Sequence, residues 1–271
     1  MRIQILGTAA AEGWPGIFCG CTTCAKARAL GGKNLRSRAS LQIDNIFKID
    51  LPPDTYYHSI RFGIDQSKLK HLFYTHSHGD HFDPDEVEYM SHPFAHCLAN
   101  APIQIYGNEK VMRAIKSRHE RRELPAEFHT VEPYIPIKAD YLTFIPILAE
   151  HARNETALNY IIQSETATVL YSSDTGFYGK STLDFISNFK FDLLIAECTN
   201  GTALHSSQLH MNMRDVLKLR THLTRAGAVS PATRTVITHF SHNIGLLHEE
   251  LESKAAKKDI EVAYDGIILE V

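Results

Sequence analysis

Thr75-His76-Ser77-His78-Gly79-Asp80-His81 sets three imidazoles and a carboxylate within six residues, directly behind the apolar run Leu72-Phe73-Tyr74. A strand that ends in H-x-H-x-D-H presents borderline nitrogen and oxygen donors on a tight loop, a set that suits Zn²⁺, Mn²⁺ or Fe²⁺. His76 and His78, two apart, can face one ion. Asp80 and His81, further round the turn, can face a second. The chain holds 16 histidines, so a merely His-rich surface loop is the competing explanation. The acid stands where it completes a two-metal pattern, which favours the metal site.

These residues resemble the H-x-H-x-D-H signature of the metallo-β-lactamase superfamily. The resemblance implies a later His that completes the first site, an Asp that bridges both ions and a last His that completes the second. His151 follows the apolar run 141–148, Asp174 follows Thr168-Val169-Leu170-Tyr171-Ser172-Ser173, and His239 ends Thr235-Val236-Ile237-Thr238. Each lies at the end of an expected strand, where site residues of layered α/β proteins converge. The resemblance also implies the fold: an α/β, αββα sandwich of two mixed β-sheets flanked by helices, with the metals at one edge.

Cys19, Cys21 and Cys24 form C-x-C-x-x-C, while Cys97 and Cys198 stand alone and read as buried structural thiols. In an intracellular protein such clustering points to metal more than to disulfide. Three thiolates need a fourth donor to close a tetrahedral zinc site, and His242, three residues beyond His239, is the candidate. Reduced thiols packed as small hydrophobes and a close-spaced disulfide are the alternatives. The opening 7–16, followed by the cysteine cluster, looks like the branch that includes phosphoribosyl 1,2-cyclic phosphate phosphodiesterase. That likeness implies two catalytic divalent ions (Zn²⁺ or Mn²⁺), one structural Zn²⁺ held by three Cys and one His, and a possible homodimer. Related branches share the cluster and act elsewhere, including cofactor biosynthesis.

At 271 residues, with 44% apolar and 22% charged residues, the chain reads as one soluble globular domain, 1–271. A net charge of −3 gives no general attraction to nucleic acid or anionic lipid. No apolar stretch approaches the ~20 residues of a membrane span. The segment 1–7 is too short for a signal peptide core and reads as a first strand, so a cytoplasmic location is expected. Strands are expected at 2–6, 40–50, 71–75, 103–106, 141–148, 158–163, 168–173, 191–196, 234–239 and 266–270. Helices are expected at 22–31, 85–91, 108–120, 181–189, 212–226 and 244–257, the last two from leucines at helical spacing.

With His76, His78 and His151 on one ion, Asp80, His81 and His239 on the other, and Asp174 bridging, both ions keep open positions, the mark of a catalytic site. Two ions can hold a hydroxide between them and polarise a phosphoryl oxygen, so hydrolysis follows. A phosphodiester also needs its leaving alkoxide protonated. The resemblance implies a general-acid His in the loop that here carries His210; His205 competes for that role. Arg36 and Arg38 offer guanidinium groups to a phosphate, or brace the fold. Trp14 lines the cleft or packs over the cysteine site. Lys116, Arg118, Arg121 and Arg122 read as an exposed helix face, and the remaining histidines as structural or exposed. The expected activity is hydrolysis of a small, cyclic phosphodiester, with Asp80 and His210 in the catalytic machinery and no nucleic-acid or membrane partner. The alternatives are a lactonase, a tRNA 3′-processing nuclease (although no Gly- or Lys-rich arm is present) and a non-catalytic cofactor-pathway protein. A flavodiiron-type redox protein is disfavoured because His78 stands where that group has Glu.

Overall fold

A computed structural model describes residues 1–203 and 207–271. The chain lays down β1 (Arg2–Gly7), β2 (Ser40–Ile43), β3 (Phe47–Ile49), β4 (His71–Phe73), β5 (Ile103–Gly107) and β6 (Ala126–Thr130). It then forms β7 (Ile137–Ala139), β8 (Leu142–Leu148), β9 (Leu158–Gln163), β10 (Thr168–Ser172), β11 (Leu193–Glu197), β12 (Arg234–Thr238) and β13 (Glu261–Val262), and closes with β14 (Ile268–Glu270). Two seven-stranded sheets result, ordered β14-β1-β2-β3-β4-β5-β6 and β13-β12-β11-β10-β9-β8-β7. Each is mixed. The first is parallel from β3 to β6 and the second from β10 to β13.

The strands of both sheets turn their apolar faces to each other. Ile3, Ile43, Phe47 and Phe73 of the first sheet meet Phe144, Tyr160, Ile195 and Val236 of the second in one buried cluster. Phe73 stacks on Phe144 with ring centroids 3.9 Å apart. Among the described residues six α-helices complete the layers: α1 (Thr22–Leu30), α2 (Thr55–Phe62), α3 (Glu109–Arg118), α4 (Lys180–Ile186), α5 (Met213–Arg225) and α6 (His248–Ala256). Val111, Met112 and Ile115 of α3 pack on the outer side of β4 and β5. Leu219 and Leu223 of α5 and Ile186 of α4 cover β8–β11, while Leu251 and Ala255 of α6 reach Ile237 and Val262. The expected αββα sandwich is the observed one.

Several elements differ from expectation. The strand expected over 40–50 is a hairpin, β2 and β3, turned at Asp44 with φ +46°, a conformation Asp tolerates better than most residues. The helix expected at 85–91 is a 3₁₀ segment, Glu86–Met90. The last helix starts at His248 rather than 244, because Gly245 at φ +69° breaks the turn before it. Helix α2, of sequence TYYHSIRF, was not expected because its aromatic and Ile residues favour strands. Cys97 is exposed rather than buried, since its neighbour Leu98 is only half-buried; Cys198 is buried as expected.

Candidate active site

Each of the seven expected His and Asp ligands sits beyond the carboxyl end of a strand, where open α/β sheets place their ligands. The loop 75–81 leaves β4, His151 follows β8, Asp174 follows β10 and His239 follows β12. Their donor atoms form two groups, His76/His78/His151/Asp174 and Asp80/His81/Asp174/His239, with all atoms within each group inside 4.8 Å of one another.

Asp174 is the hinge between them. Its Oδ2 lies 3.2 Å from His151 Nε2 and 3.8 Å from His76 Nε2, while its Oδ1 lies 2.6 Å from His239 Nε2 and 3.5 Å from His81 Nε2. The carboxylate thus gives one oxygen to each group. His78 Nδ1 stands 3.1 Å from His151 Nε2, and His81 Nε2 3.3 Å from His239 Nε2. Such nitrogen pairs facing each other suit a shared cation between them. His76 Nε2 is buried without a hydrogen bond, a costly state that ligation would relieve. Burial disfavours charge on Asp174 and His81 alike, yet each supports the other: nearby His239 and His81 hold the Asp174 carboxyl well below its usual range, and Asp80 and Asp174 push His81 well above its own. A proton does there what a divalent cation does better. The donor set fits the metal pair that the fold implies.

The outward nitrogens explain why the inward ones point where they do. His81 Nδ1 donates to Asp50 Oδ2 at 2.7 Å. His76 Nδ1 is 3.0 Å from Thr75 Oγ1, which itself donates to Asp50. His151 Nδ1 donates to the Leu209 carbonyl at 3.1 Å, and His239 Nδ1 is 2.9 Å from Thr199 Oγ1. These contacts set the tautomers that leave Nε2 free, the usual role of groups behind metal-bound histidines. Asp50 therefore orients one histidine of each group, from a fully buried position at φ +63°. We expect Asp50→Asn, which keeps that backbone but loses the anion, to weaken metal binding by about 10–100-fold, read by competition with a chelating dye.

His210 lies at the edge of this cluster. Its ring centroid is 4.9 Å from that of His151 and 6.0 Å from that of His239. Nδ1 is 2.9 Å from Glu197 Oε1, and Glu197 is fully buried at the end of β11. Burial alone would lower the His210 pKa, but the Glu197 hydrogen bond and the charges of Asp174, Glu197 and Asp80 overcome it and raise it to about 8. The loop that carries His210 is pressed on the Asp174 loop: a Cβ on Gly176 would stand 1.9 Å from the Gln208 carbonyl oxygen, so only glycine fits. His205 lies outside the described residues.

The structure brings the cysteine cluster and His242 together. Cys19, Cys21, Cys24 and His242 group their donors, with Sγ of Cys19 and Cys21 3.9 and 3.8 Å from His242 Nδ1. Tetrahedral zinc with Zn–S of ~2.3 Å and Zn–N of ~2.0 Å implies S···N separations of about 3.6 Å. The backbone amides of Cys24, Cys21 and Gly16 donate to Cys21, Cys19 and Cys24 sulfurs. The Cys24 amide, then Cys19, lowers the Cys21 thiol to about 6, which favours the thiolate a metal needs. Gly16 leaves room for the ring: a Cβ there would meet Cys19 and His242 at 3.1–3.2 Å. Glu12 Oε1 lies 3.7 Å from His242 Nε2, beyond hydrogen-bond reach, and accepts from Ser241 Oγ at 2.6 Å instead.

Arg36 and Arg38 do not reach the site. Arg36 is buried against Thr8, the Ala263 carbonyl and His248, and Arg38 pairs with Asp54; both brace the fold. Trp14 is buried with Ala27, Met211 and Phe240. Asp50, Glu197 and Glu12 were not singled out from sequence. The signal they carry is slight, a lone acid ending a strand for the first two.

No curated protein matches the chain. A crystal structure of a diphosphatase from the PhnP family is 26% identical, with a TM-score of 0.78 over all of this chain and 97% of that one. Zinc-bound PqqB from Methylobacterium extorquens is 14% identical over all of both chains, with a TM-score of 0.77. The short form of human tRNase Z is 18% identical over all of this chain and 99% of that one, with a TM-score of 0.69. Residues 53–240 match the model of the beta-lactamase superfamily domain. The chain belongs to the beta-lactamase superfamily, as a metallo-β-lactamase-fold hydrolase whose candidate ligands suit divalent metal ions.

Proposed function

We propose that the protein is a cytoplasmic, single-domain phosphodiesterase that hydrolyses a small cyclic phosphodiester such as phosphoribosyl 1,2-cyclic phosphate. The observation that carries this reading is the split of the Asp174 oxygens between two His-rich groups, with His210 braced by Glu197 beside them. A divalent pair, when bound, lowers the pKa of coordinated water and polarises a phosphoryl oxygen. His76, His78, His151, Asp80, His81 and His239 would hold that pair, with Asp174 offering one oxygen to each group. His210 keeps Nδ1 on Glu197 and turns Nε2 to the leaving alkoxide, to which it gives a proton. A general acid is the one part of diester cleavage that the ligands themselves do not supply. The 26% identical PhnP-family diphosphatase supports chemistry at phosphorus over lactone hydrolysis. The Cys19/Cys21/Cys24/His242 group holds the structural Zn²⁺, and the catalytic pair is Zn²⁺ or Mn²⁺.

The test is turnover of bis(p-nitrophenyl) phosphate, p-nitrophenyl phosphate and a lactone, each with Mn²⁺ or Zn²⁺ added. Cleavage of the diester without the monoester or the lactone is expected. Preferential lactone cleavage would replace this reading.

A further inference from the structure

The outer side of the first sheet carries a cavity of about 770 Å³ that none of the candidate metal ligands lines. Its floor is apolar: Leu51, Leu69 and Ile103 are buried in the cluster that covers β4 and β5. Leu69 precedes β4, so the cavity extends toward the amino end of that strand, whereas the His76/His78 loop leaves its carboxyl end. The lining also takes in three exposed aromatic residues, Tyr56 of α2, Tyr89 and Phe94. Tyr89 and Phe94 meet edge to face with ring centroids 5.2 Å apart. Volume and lining are those of a small-molecule site. The walls are braced by protein contacts of their own. Arg122 pairs with Glu88 at 2.7 Å, donates to Ser91 Oγ at 3.3 Å and lies over the Phe94 ring, 5.6 Å from its centroid. Ala99 N donates to the Ser67 carbonyl at 2.9 Å.

The polar groups of the lining narrow what fits. Gln66 lines the cavity, and both its amide atoms, Nε2 and Oε1, are buried with no hydrogen-bond partner among the described residues. Such a state is costly, and native proteins seldom leave it so. Glu86 also lines the cavity; burial, then the nearby Asp83, lifts its carboxyl pKa to about 6. Among the described residues no Lys or Arg joins the lining, so nothing there offsets the charge of a phosphate or carboxylate. A neutral ligand fits. The Gln66 amide presents a donor and an acceptor side by side in one plane. Its complement is a flat ring with an N–H or amino group next to a carbonyl or ring nitrogen, and aromatic side chains suit the faces of such a ring.

We propose that this cavity is a second ligand site, separate from the metal centre, that binds a neutral, planar nitrogen heterocycle of the nucleobase type through the Gln66 amide. Oε1 accepts the ring N–H and Nε2 donates to the adjacent acceptor, while Tyr56, Tyr89 and Phe94 offer apolar surface to the ring. Free bases and nucleosides share this edge; the lack of a cation in the lining disfavours their phosphates. The site uses none of the residues of the phosphodiesterase reading and stands independently of it.

The experiment is calorimetric titration of the metal-loaded protein with uracil, adenine, their nucleosides and 1,3-dimethyluracil. At least one base or nucleoside should bind wild type, and the comparison of base with nucleoside tells which form the cavity takes. Dimethyluracil, which keeps the ring but has no N–H, should bind roughly 10-fold or more weakly than uracil. Gln66→Leu should weaken heterocycle binding roughly 10–100-fold. The melting temperature of that variant without ligand should be unchanged or higher, because an apolar side chain of similar size replaces a buried amide that lacks a partner. Tyr89→Ala, at an exposed position, should fold normally and also bind more weakly. No binding of any heterocycle to wild type at millimolar concentration overturns the proposal, as does binding unchanged in both variants or equal binding of uracil and dimethyluracil. A concentration-dependent dimer that Tyr89→Ala breaks, with no heterocycle bound, would assign this face to a second copy of the chain and overturn it as well.

Discussion

His210→Ala should retain its full metal content and bind substrate near-normally, yet lose about 10²–10⁴-fold in kcat on an alkyl diester. On p-nitrophenyl diesters the loss shrinks toward unity, because nitrophenolate departs without a proton. This is the expected outcome if the imidazole held by Glu197 protonates the leaving oxygen, since an acid helps only where charge on that oxygen is costly. Steady-state rates on a paired series of alkyl and nitrophenyl diesters, with metal content measured on the same samples, give the comparison. Equal losses across the series would reassign His210 to phosphate positioning.

Asp174→Ala should behave in the opposite way. It removes an oxygen from each of the two groups at once, so both ions are lost and good and poor leaving groups suffer alike. Several kcal/mol of transition-state stabilisation go with them, a rate loss of at least roughly 10³-fold. The three candidate groups imply about three ions per wild-type chain, and elemental analysis of Asp174→Ala should find about one. That remaining ion should be zinc on the thiolates, because Cys19, Cys21, Cys24 and His242 share no donor with Asp174. Retention of two or more ions would show that Asp174 does not bridge.

What was legible in the sequence follows from how far each residue's job depends on its neighbours in the chain. H-x-H-x-D-H and C-x-C-x-x-C announce themselves because one ion must be reached by several donors from one short loop. His151, Asp174 and His239 are single residues far apart in sequence, and became legible only through the family pattern. Asp50 and Glu197 act through one tertiary partner each or a few, with no spacing to betray them, and stayed hidden. The strands that line the core were legible from apolar runs. Edge strands β6, β7 and β13 were not: no residue of β6 is buried, β7 spans three residues and β13 two. The hairpin of β2 and β3 was merged into one strand because its turn, 44–46, separates two strands of the same mixed apolar and polar character by only three residues.

The division of ligands between the layers has a mechanical consequence. The first sheet contributes His76 and His78 to one group and Asp80 and His81 to the other. The second contributes His151 and Asp174, then Asp174 and His239. Neither sheet owns a complete set, so an ion is captured only while the two are docked. Any opening that parts them must first release metal, and free metal at a thousandfold above its dissociation constant adds about 4 kcal/mol to that opening for each site. Amide hydrogens in β3, β4 and β10–β12 should then exchange as one block whose protection rises with metal activity, while the edge strands β6 and β13 keep fraying at their own rate. Metal supply becomes a control on how tightly the sandwich is shut.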